Sequence, residues 1–225
     1  MTLGVINYFN NCKPQKVFFD NTLNFQLNQF YIYTSYPMKL AGKKIGILFE
    51  ADYYENEIFY YKYRFPEEGA EIHFLTRMWG QQNITFHGHE YKVPMDCQES
   101  FENMSDEELR SYDAIIVPSG MVSDRLRYTE DVDKIPPATE FLKRAFAEPS
   151  ILKGIICHGL WLVAPATELV KGKNLVCHNN LIGDAKAYGA NYVNEDVVVD
   201  GDLVTGRSGG HAHLFAKKII EILAN

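Results

Sequence analysis

The strongest constraint on this chain is a repeating pattern of short apolar runs separated by helix-like stretches, which begins at Lys44 and continues to the C-terminus. Residues 45–49, 71–76, 112–118 and 154–157 have strand length and little polar alternation. Such runs are what strands covered on both faces look like, and helices between them join the strands in parallel. The expected fold class is therefore α/β, a mostly parallel sheet with helices on both sides.

The intervening text supports this reading. Residues 54–68 form a helix whose Phe59, Tyr60 and Tyr63 can cover a sheet, with Pro66 ending it early and Gly69 as the stop. Residues 83–94 read as a small hairpin centred on His87-Gly88-His89. Ser105 and Glu108 form a capping box that opens a short helix over 105–109. Further helices are expected over 139–146, 160–169 and 183–188, with a strand over 175–177. A second hairpin over 197–204 turns at Asp200-Gly201, and an amphipathic helix closes the chain over 211–223. No internal repeat is present.

A chain of 225 residues with 46% hydrophobic content fills one α/β domain and is too short for two. The net charge of −7 lacks the basic excess that a phosphate backbone demands, so nucleic acid is excluded as a partner class. No apolar run approaches the ~18 to 20 residues of a membrane span, and no signal-like pattern opens the chain, so the expected location is cytoplasmic. The cysteines, Cys12, Cys97, Cys157 and Cys177, have neither CxxC nor zinc spacing and read as separate thiols of a reducing compartment. Composition breaks near Met38: residues 1–37 are crowded with Asn, Phe and Tyr and contain no Glu or Arg. They are expected to be an extension, poorly ordered or preceding a true start at Met38, with the folded domain spanning 43–224.

Chemistry concentrates where strand text turns into helix text. Lys153-Gly154-Ile155-Ile156 runs into Cys157-His158-Gly159, which places a thiol at the start of the following helix, where free backbone N–H groups favour thiolate. In an open α/β sheet ligands bind beyond the carboxyl ends of the strands. Glu57 falls there after the first strand, Gly120 and Asp124 after the 112–118 strand, and Cys157 and His158 after the 154–157 strand.

Together, Tyr54-Glu55-Asn56-Glu57, Ala114-Ile115-Ile116-Val117-Pro118-Ser119-Gly120, Ile156-Cys157-His158-Gly159 and the late run 197–201 resemble the DJ-1/PfpI superfamily. The likeness is nearest to the PfpI-type intracellular peptidases and deglycases, and covers residues 43–224. It implies a flavodoxin-like three-layer α/β/α sandwich that self-associates, with its site at a subunit interface. It places the nucleophile on Cys157, the adjacent histidine on His158 and the acidic partner of the cysteine on Glu57. The carboxylate that orients the histidine across the interface falls on Asp124, where the family usually has Glu. Backbone N–H groups of Gly120 and His158 would form an oxyanion hole, with Ser119 standing where many relatives have Gly.

The parts form a coherent hydrolase: thiolate attack on a carbonyl, proton transfer by histidine, and backbone donors for the oxyanion. Glu57 is expected to be protonated, because two like charges in one cleft are costly, and to donate a hydrogen bond to sulfur. The substrate class is a peptide or a glycated or dicarbonyl adduct, with no dissociable cofactor and no metal. The rival is a non-enzymatic stress protein or chaperone with Cys157 as oxidation sensor; a binding module related to amidotransferase domains is a third. Cys12, Cys97 and Cys177 read as structural, and Asp124 could equally cap a helix before Arg125. His87 and His89 lack a third ligand for a metal. His211 and His213 lie two apart on a helix and face different sides, so at most one reaches a site.

Overall fold

The computed structural model describes residues 38–225. The expected extension over 1–37, with Cys12, lies outside the described residues. In chain order the elements are β1 (Lys44–Leu48), α1 (Glu55–Glu67), β2 (Glu71–Thr76), the hairpin β3 (Ile84–His87) and β4 (Pro94–Cys97), β5 (Glu99–Ser100) and α2 (Asp106–Leu109). Then follow β6 (Ala114–Val117), α3 (Val122–Leu126), α4 (Pro137–Ala147), β7 (Leu152–Ile156) and a 3-10 run, Cys157–Leu169. The chain closes with β8 (Asn174–Leu175), α5 (Ile182–Ala187), β9 (Asn191–Tyr192), β10 (Val197–Asp200), β11 (Leu203–Gly206) and α6 (Ala212–Leu223).

Seven strands form one sheet in the order β10-β11-β7-β6-β1-β2-β5. Every pairing in it is parallel except the terminal hairpin of β10 with β11. The central strands are apolar because both faces are covered: every residue of β6 and β7 is buried. On one face α1 packs on α6, with the Tyr61 and Phe215 rings 6.3 Å apart. On the other, α3 and α4 pack on the run Cys157–Leu169, where Thr139 Oγ1 donates to the Leu162 carbonyl at 2.8 Å. This is a flavodoxin-like three-layer α/β/α sandwich.

Sheet order also locates the site. The chain passes from β1 to β2 on one side and returns through β6 on the other, so the direction of winding reverses between β1 and β6. A crevice opens beyond the carboxyl ends of strands at such a point.

Two local expectations change. The hairpin pairs Ile84 with Cys97 and His87 with Pro94, so His87-Gly88-His89 leaves the first strand rather than sitting at the pivot. The connection is drawn onto α1 because the buried Glu55 carboxylate accepts the N–H groups of Glu90 at 3.0 Å and Tyr91 at 2.8 Å. The stretch after Cys157 is wound as 3-10 turns rather than one α-helix, and Ala166, with φ −146° and ψ 60°, breaks it directly after Pro165. Proline supplies no N–H and crowds the preceding turn, which explains a break at this place.

Candidate active site

Cys157 follows β7 with φ +61°, a left-handed conformation that costs a residue with a side chain about 1–3 kcal/mol. The turn is held by packing on both sides: a Cβ on Gly159 would lie 2.7 Å from the Val117 carbonyl oxygen. The strained cysteine lines a cavity of about 320 Å³ together with Tyr54, His89, Ser119, Gly120, His158 and Gly209. The site thus draws on the ends of β1, β6, β7 and β11, as the winding reversal requires.

Cys157 Sγ stands 3.2 Å from His158 Nδ1. Burial pushes the thiol up to about 11, and the charge of Glu57 adds to the shift. The backbone N–H groups of Gly209, His158 and Gly120 oppose it. Burial lowers His158 below its ordinary value, with His178 as a second cause. Burial thus favours the neutral thiol and the neutral imidazole over the thiolate that a helix N-terminus alone suggests. Two physical terms reverse that expectation: the sulfur is withdrawn from water, and the element behind it is a broken 3-10 run.

Glu57 is fully buried on α1, and burial lifts its carboxyl to about 7. Its partners are both on Ser119: the backbone N–H donates to Oε2 at 3.1 Å, and the Ser119 hydroxyl donates to the same oxygen. The Tyr61 hydroxyl, one turn along α1, faces the carboxyl without completing a hydrogen bond. Among the described residues Glu57 makes no hydrogen bond to Cys157, contrary to the expected bond to sulfur, because Ser119 takes up the carboxyl first. The raised value itself comes from desolvation rather than from crowding of like charges.

Asp124 lies in the first turn of α3 and pairs with Arg127 at 3.0 Å, one helix turn away. Within one chain the structure gives it no hydrogen bond to His158. It does not cap α3 either; the N-cap position of that helix is Met121, which makes no side-chain cap hydrogen bond. Gly120 has φ +78°, and a Cβ there would lie 2.8 Å from the Asp52 carbonyl oxygen, so only glycine brings this strand end against the loop after β1.

Of the remaining histidines, His89 reaches the cavity wall while His87 is exposed, and no cluster of three metal-ligating side chains exists among the described residues. His211 Nδ1 lies 2.8 Å from the hydroxyl of Ser208, a residue of the cavity lining, and His213 is exposed.

Two contributors escape a reading by motif. His178 packs its ring 4.6 Å from that of His158, and Gly209 points an N–H toward the sulfur. His178 sits before Asn179-Asn180, where its Nδ1 accepts the Asn180 N–H at 3.3 Å; in the sequence this is ordinary turn text. Gly209 carries the stronger signal, a glycine pair at the start of a helix. A Cβ there would lie 2.4 Å from Tyr54 Cδ1 and 2.7 Å from Ser119 Oγ.

A flavodoxin-like sandwich with a strained cysteine at the carboxyl edge of its sheet, beside a histidine and a buried glutamate, defines the class of this protein. Within that class residues 43–222 match the DJ-1/PfpI family, and the chain belongs to it. It is 29% identical over 178 residues to a deglycase of Pyrococcus abyssi, covering 79% of this chain and 98% of that one. It is 26% identical over 180 residues to the deglycase PfpI of Pyrococcus furiosus, covering 80% of this chain and 99% of the relative. In structure it is similar to Schizosaccharomyces pombe DJ-1, with a TM-score of 0.66 and 22% identity over 81% of this chain and 92% of that one, a likeness of fold. No helix among the described residues is long and apolar enough to cross a membrane.

Proposed function

We propose that this protein is a cysteine-dependent hydrolase acting on a carbonyl-containing substrate, a peptide bond or a glycated or dicarbonyl adduct, with Cys157 as nucleophile. The observation that carries the reading is the contact of Cys157 Sγ with His158 Nδ1 at 3.2 Å on the wall of a cavity. A neutral imidazole at that distance is placed to act as general base.

The thiol proton passes to His158 Nδ1 as sulfur bonds to the carbonyl carbon, and the carbonyl electron pair moves to oxygen. The N–H groups of Gly120 and His158 are assigned to that oxyanion. On a peptide bond, collapse expels the amine, which takes the proton from His158, and a thioester remains; on a dicarbonyl adduct, whose carbonyl carbon bears no leaving group, the oxyanion instead takes the proton from His158 and a hemithioacetal remains. Water then attacks the thioester while His158 takes its proton, and the acid departs as the thiol is restored. Glu57 sets the charge beside the sulfur. Asp124, tied to Arg127 within its own chain, is assigned the orienting role toward His158 of a second copy, which makes the working unit a dimer or larger. No dissociable cofactor enters this scheme. The relatives named deglycase favour the adduct branch, and the free cysteines Cys97, Cys157 and Cys177 suit a cytoplasmic, reducing setting. An oxidation sensor draws on an exposed thiol, whereas Cys157 is buried and in contact with His158.

The deciding assay offers methylglyoxal adducts and an unfolded peptide to wild type, Cys157→Ser and His158→Ala. Turnover of one substrate by wild type is expected, with loss in Cys157→Ser and a fall of about 10²–10⁴-fold in His158→Ala, the usual worth of a general base. Wild type that consumes neither substrate sinks the hydrolase reading.

A further inference from the structure

Ser119 occupies the position from which the charge beside Cys157 can be controlled. Its N–H lies 3.1 Å and 3.3 Å from the two carboxyl oxygens of Glu57, and its hydroxyl donates to Oε2 as well. The side chain is 1% exposed and cannot swing freely, since Gly209 packs so closely that a Cβ there would meet the Ser119 hydroxyl at 2.7 Å. Yet Ser119 also lines the cavity, so it joins the buried carboxyl to the space in which substrate would sit. The thiol bonds to His158, and no hydrogen bond links it to Glu57 among the described residues.

We propose that Ser119 is a positioning residue that latches the Glu57 carboxyl, shifting it toward its charged form and engaging it away from Cys157, and thereby slows the reaction of the thiol. The proposal rests on the reading of Cys157 as the reactive centre of this cavity. Its sign follows from elementary electrostatics. A hydroxyl donating to a carboxyl oxygen favours the carboxylate over the acid. A buried carboxylate near a thiol disfavours a second negative charge, and Glu57 does raise Cys157. Removing the hydroxyl leaves Glu57 protonated to higher pH, which withdraws the opposing charge and leaves a proton to donate to sulfur. The backbone N–H of Ser119 remains in either case, so the hydroxyl alone is the adjustable part.

The test is the rate of Cys157 alkylation by iodoacetamide, followed by peptide mass mapping across pH in wild type, Ser119→Ala, Glu57→Gln and the double variant. A fall of about one unit in thiol pKa raises the thiolate fraction about tenfold, and the lower basicity of that thiolate returns part of the gain. Ser119→Ala is therefore expected to speed alkylation at about pH 8 by roughly three- to fivefold and to move the pH profile to lower pH. In the Glu57→Gln background the same change is expected to have no effect, because no carboxylate is left to latch. Ser119→Gly, which also lacks the hydroxyl, should reproduce the gain if Ser119→Ala folds poorly. Equal acceleration with and without Glu57 would show that the hydroxyl merely obstructs the reagent, and would overturn the latch, as would no acceleration at all. A Cys157 left unlabelled in every variant would overturn both the latch and the reading of Cys157 as nucleophile.

Discussion

The rings of His158 and His178 lie with centroids 4.6 Å apart and planes 32° from parallel, which leaves little room for two positive charges. His178 accepts the Asn180 N–H on Nδ1, so its neutral form carries the proton on Nε2. His158 Nδ1 lies 3.2 Å from Cys157 Sγ, and if it accepts the thiol proton its neutral form carries the proton on Nε2. A charge on His178 opposes one on His158.

Replacing His178 with Gln removes that competitor and keeps a polar side chain of similar reach. Burial is the larger cause of the His158 shift and His178 the smaller. The His158 ring resonances of His178→Gln should therefore titrate at higher pH than in wild type, while remaining below the ordinary histidine value. A His158 titration curve that does not move between the two proteins would assign the shift to burial alone.

Glu57 makes folding stability depend on pH in a stated direction. Its folded value near 7 lies above the ordinary 4.5, so the native state holds a proton that the unfolded chain has released. The associated stability is complete below about pH 4.5 and is lost as pH rises through about 7, for a total of about 3 kcal/mol. Glu57→Gln cannot ionise and should be more stable than wild type at pH 8, with the difference closing toward pH 5. Chemical denaturation at the two pH values measures it; a constant difference would mean that Glu57 does not titrate across this range.

Gly209→Ala tests how closely the β11 end must approach the site. The new methyl would press on Tyr54 Cδ1 at 2.4 Å and on the Ser119 hydroxyl at 2.7 Å, both in the cavity wall. Overpacking of this kind costs typically 1–3 kcal/mol and here also displaces the N–H aimed at the sulfur. Slower Cys157 alkylation together with a lower Tm is expected; a Tm drop with unchanged alkylation would take the Gly209 N–H out of the site.

The architecture was legible because parallel strands buried on both faces leave runs such as 114–117 and 152–156, and because glycine and proline punctuate the turns between them. Cys157 and His158 could be named because they follow a strand end, and Glu57 because Tyr54-Glu55-Asn56-Glu57 resembles the family's motif. What stayed hidden depends on contacts between distant segments. The stretch 88–93 reads as half of a short hairpin, and nothing local reveals that Glu55 will capture two of its N–H groups. Ser119 could be seen as a departure from Gly, but not as the partner of Glu57, because the pairing joins the end of β6 to the interior face of α1. His178 reaches His158 only after β8 returns the chain to the cavity.

Lys153 shows the same limit inside the sheet. A charged residue in the middle of β7 gives no hint of complete burial, yet its side chain is 0% exposed and its ammonium donates to Asp202 and to the Glu148 carbonyl. Removing the partner leaves a buried cation, and Asp202→Ala should cost about 2–4 kcal/mol, somewhat less than a fully buried pair because Asp202 is partly exposed. Lys153→Met removes charge and desolvation together and should fall within about 1 kcal/mol of wild type. Equal losses in the two variants, measured by chemical denaturation, would show that the pair itself and not the stranded charge carries the cost.

Asp124 separates a one-chain site from a shared one. Inside its own chain it pairs with Arg127 at 3.0 Å, with both side chains 37% exposed, and such surface pairs are worth about 0–1 kcal/mol. Asp124→Ala should therefore leave Tm nearly unchanged. If Asp124 orients His158 of a second copy, the same variant should lose turnover by about tenfold or more, as misorientation of a general base does, and Asp124→Glu should retain activity. A mixture of subunits decides between the cases. Cys157→Ser chains lack the nucleophile but keep Asp124; Asp124→Ala chains keep the nucleophile but lack the carboxylate. Reassembled together, they create hybrid sites in which an intact Cys157 faces an intact Asp124. Activity above that of either variant alone is the expected result, and a mixture no more active than its components would remove Asp124 from the site.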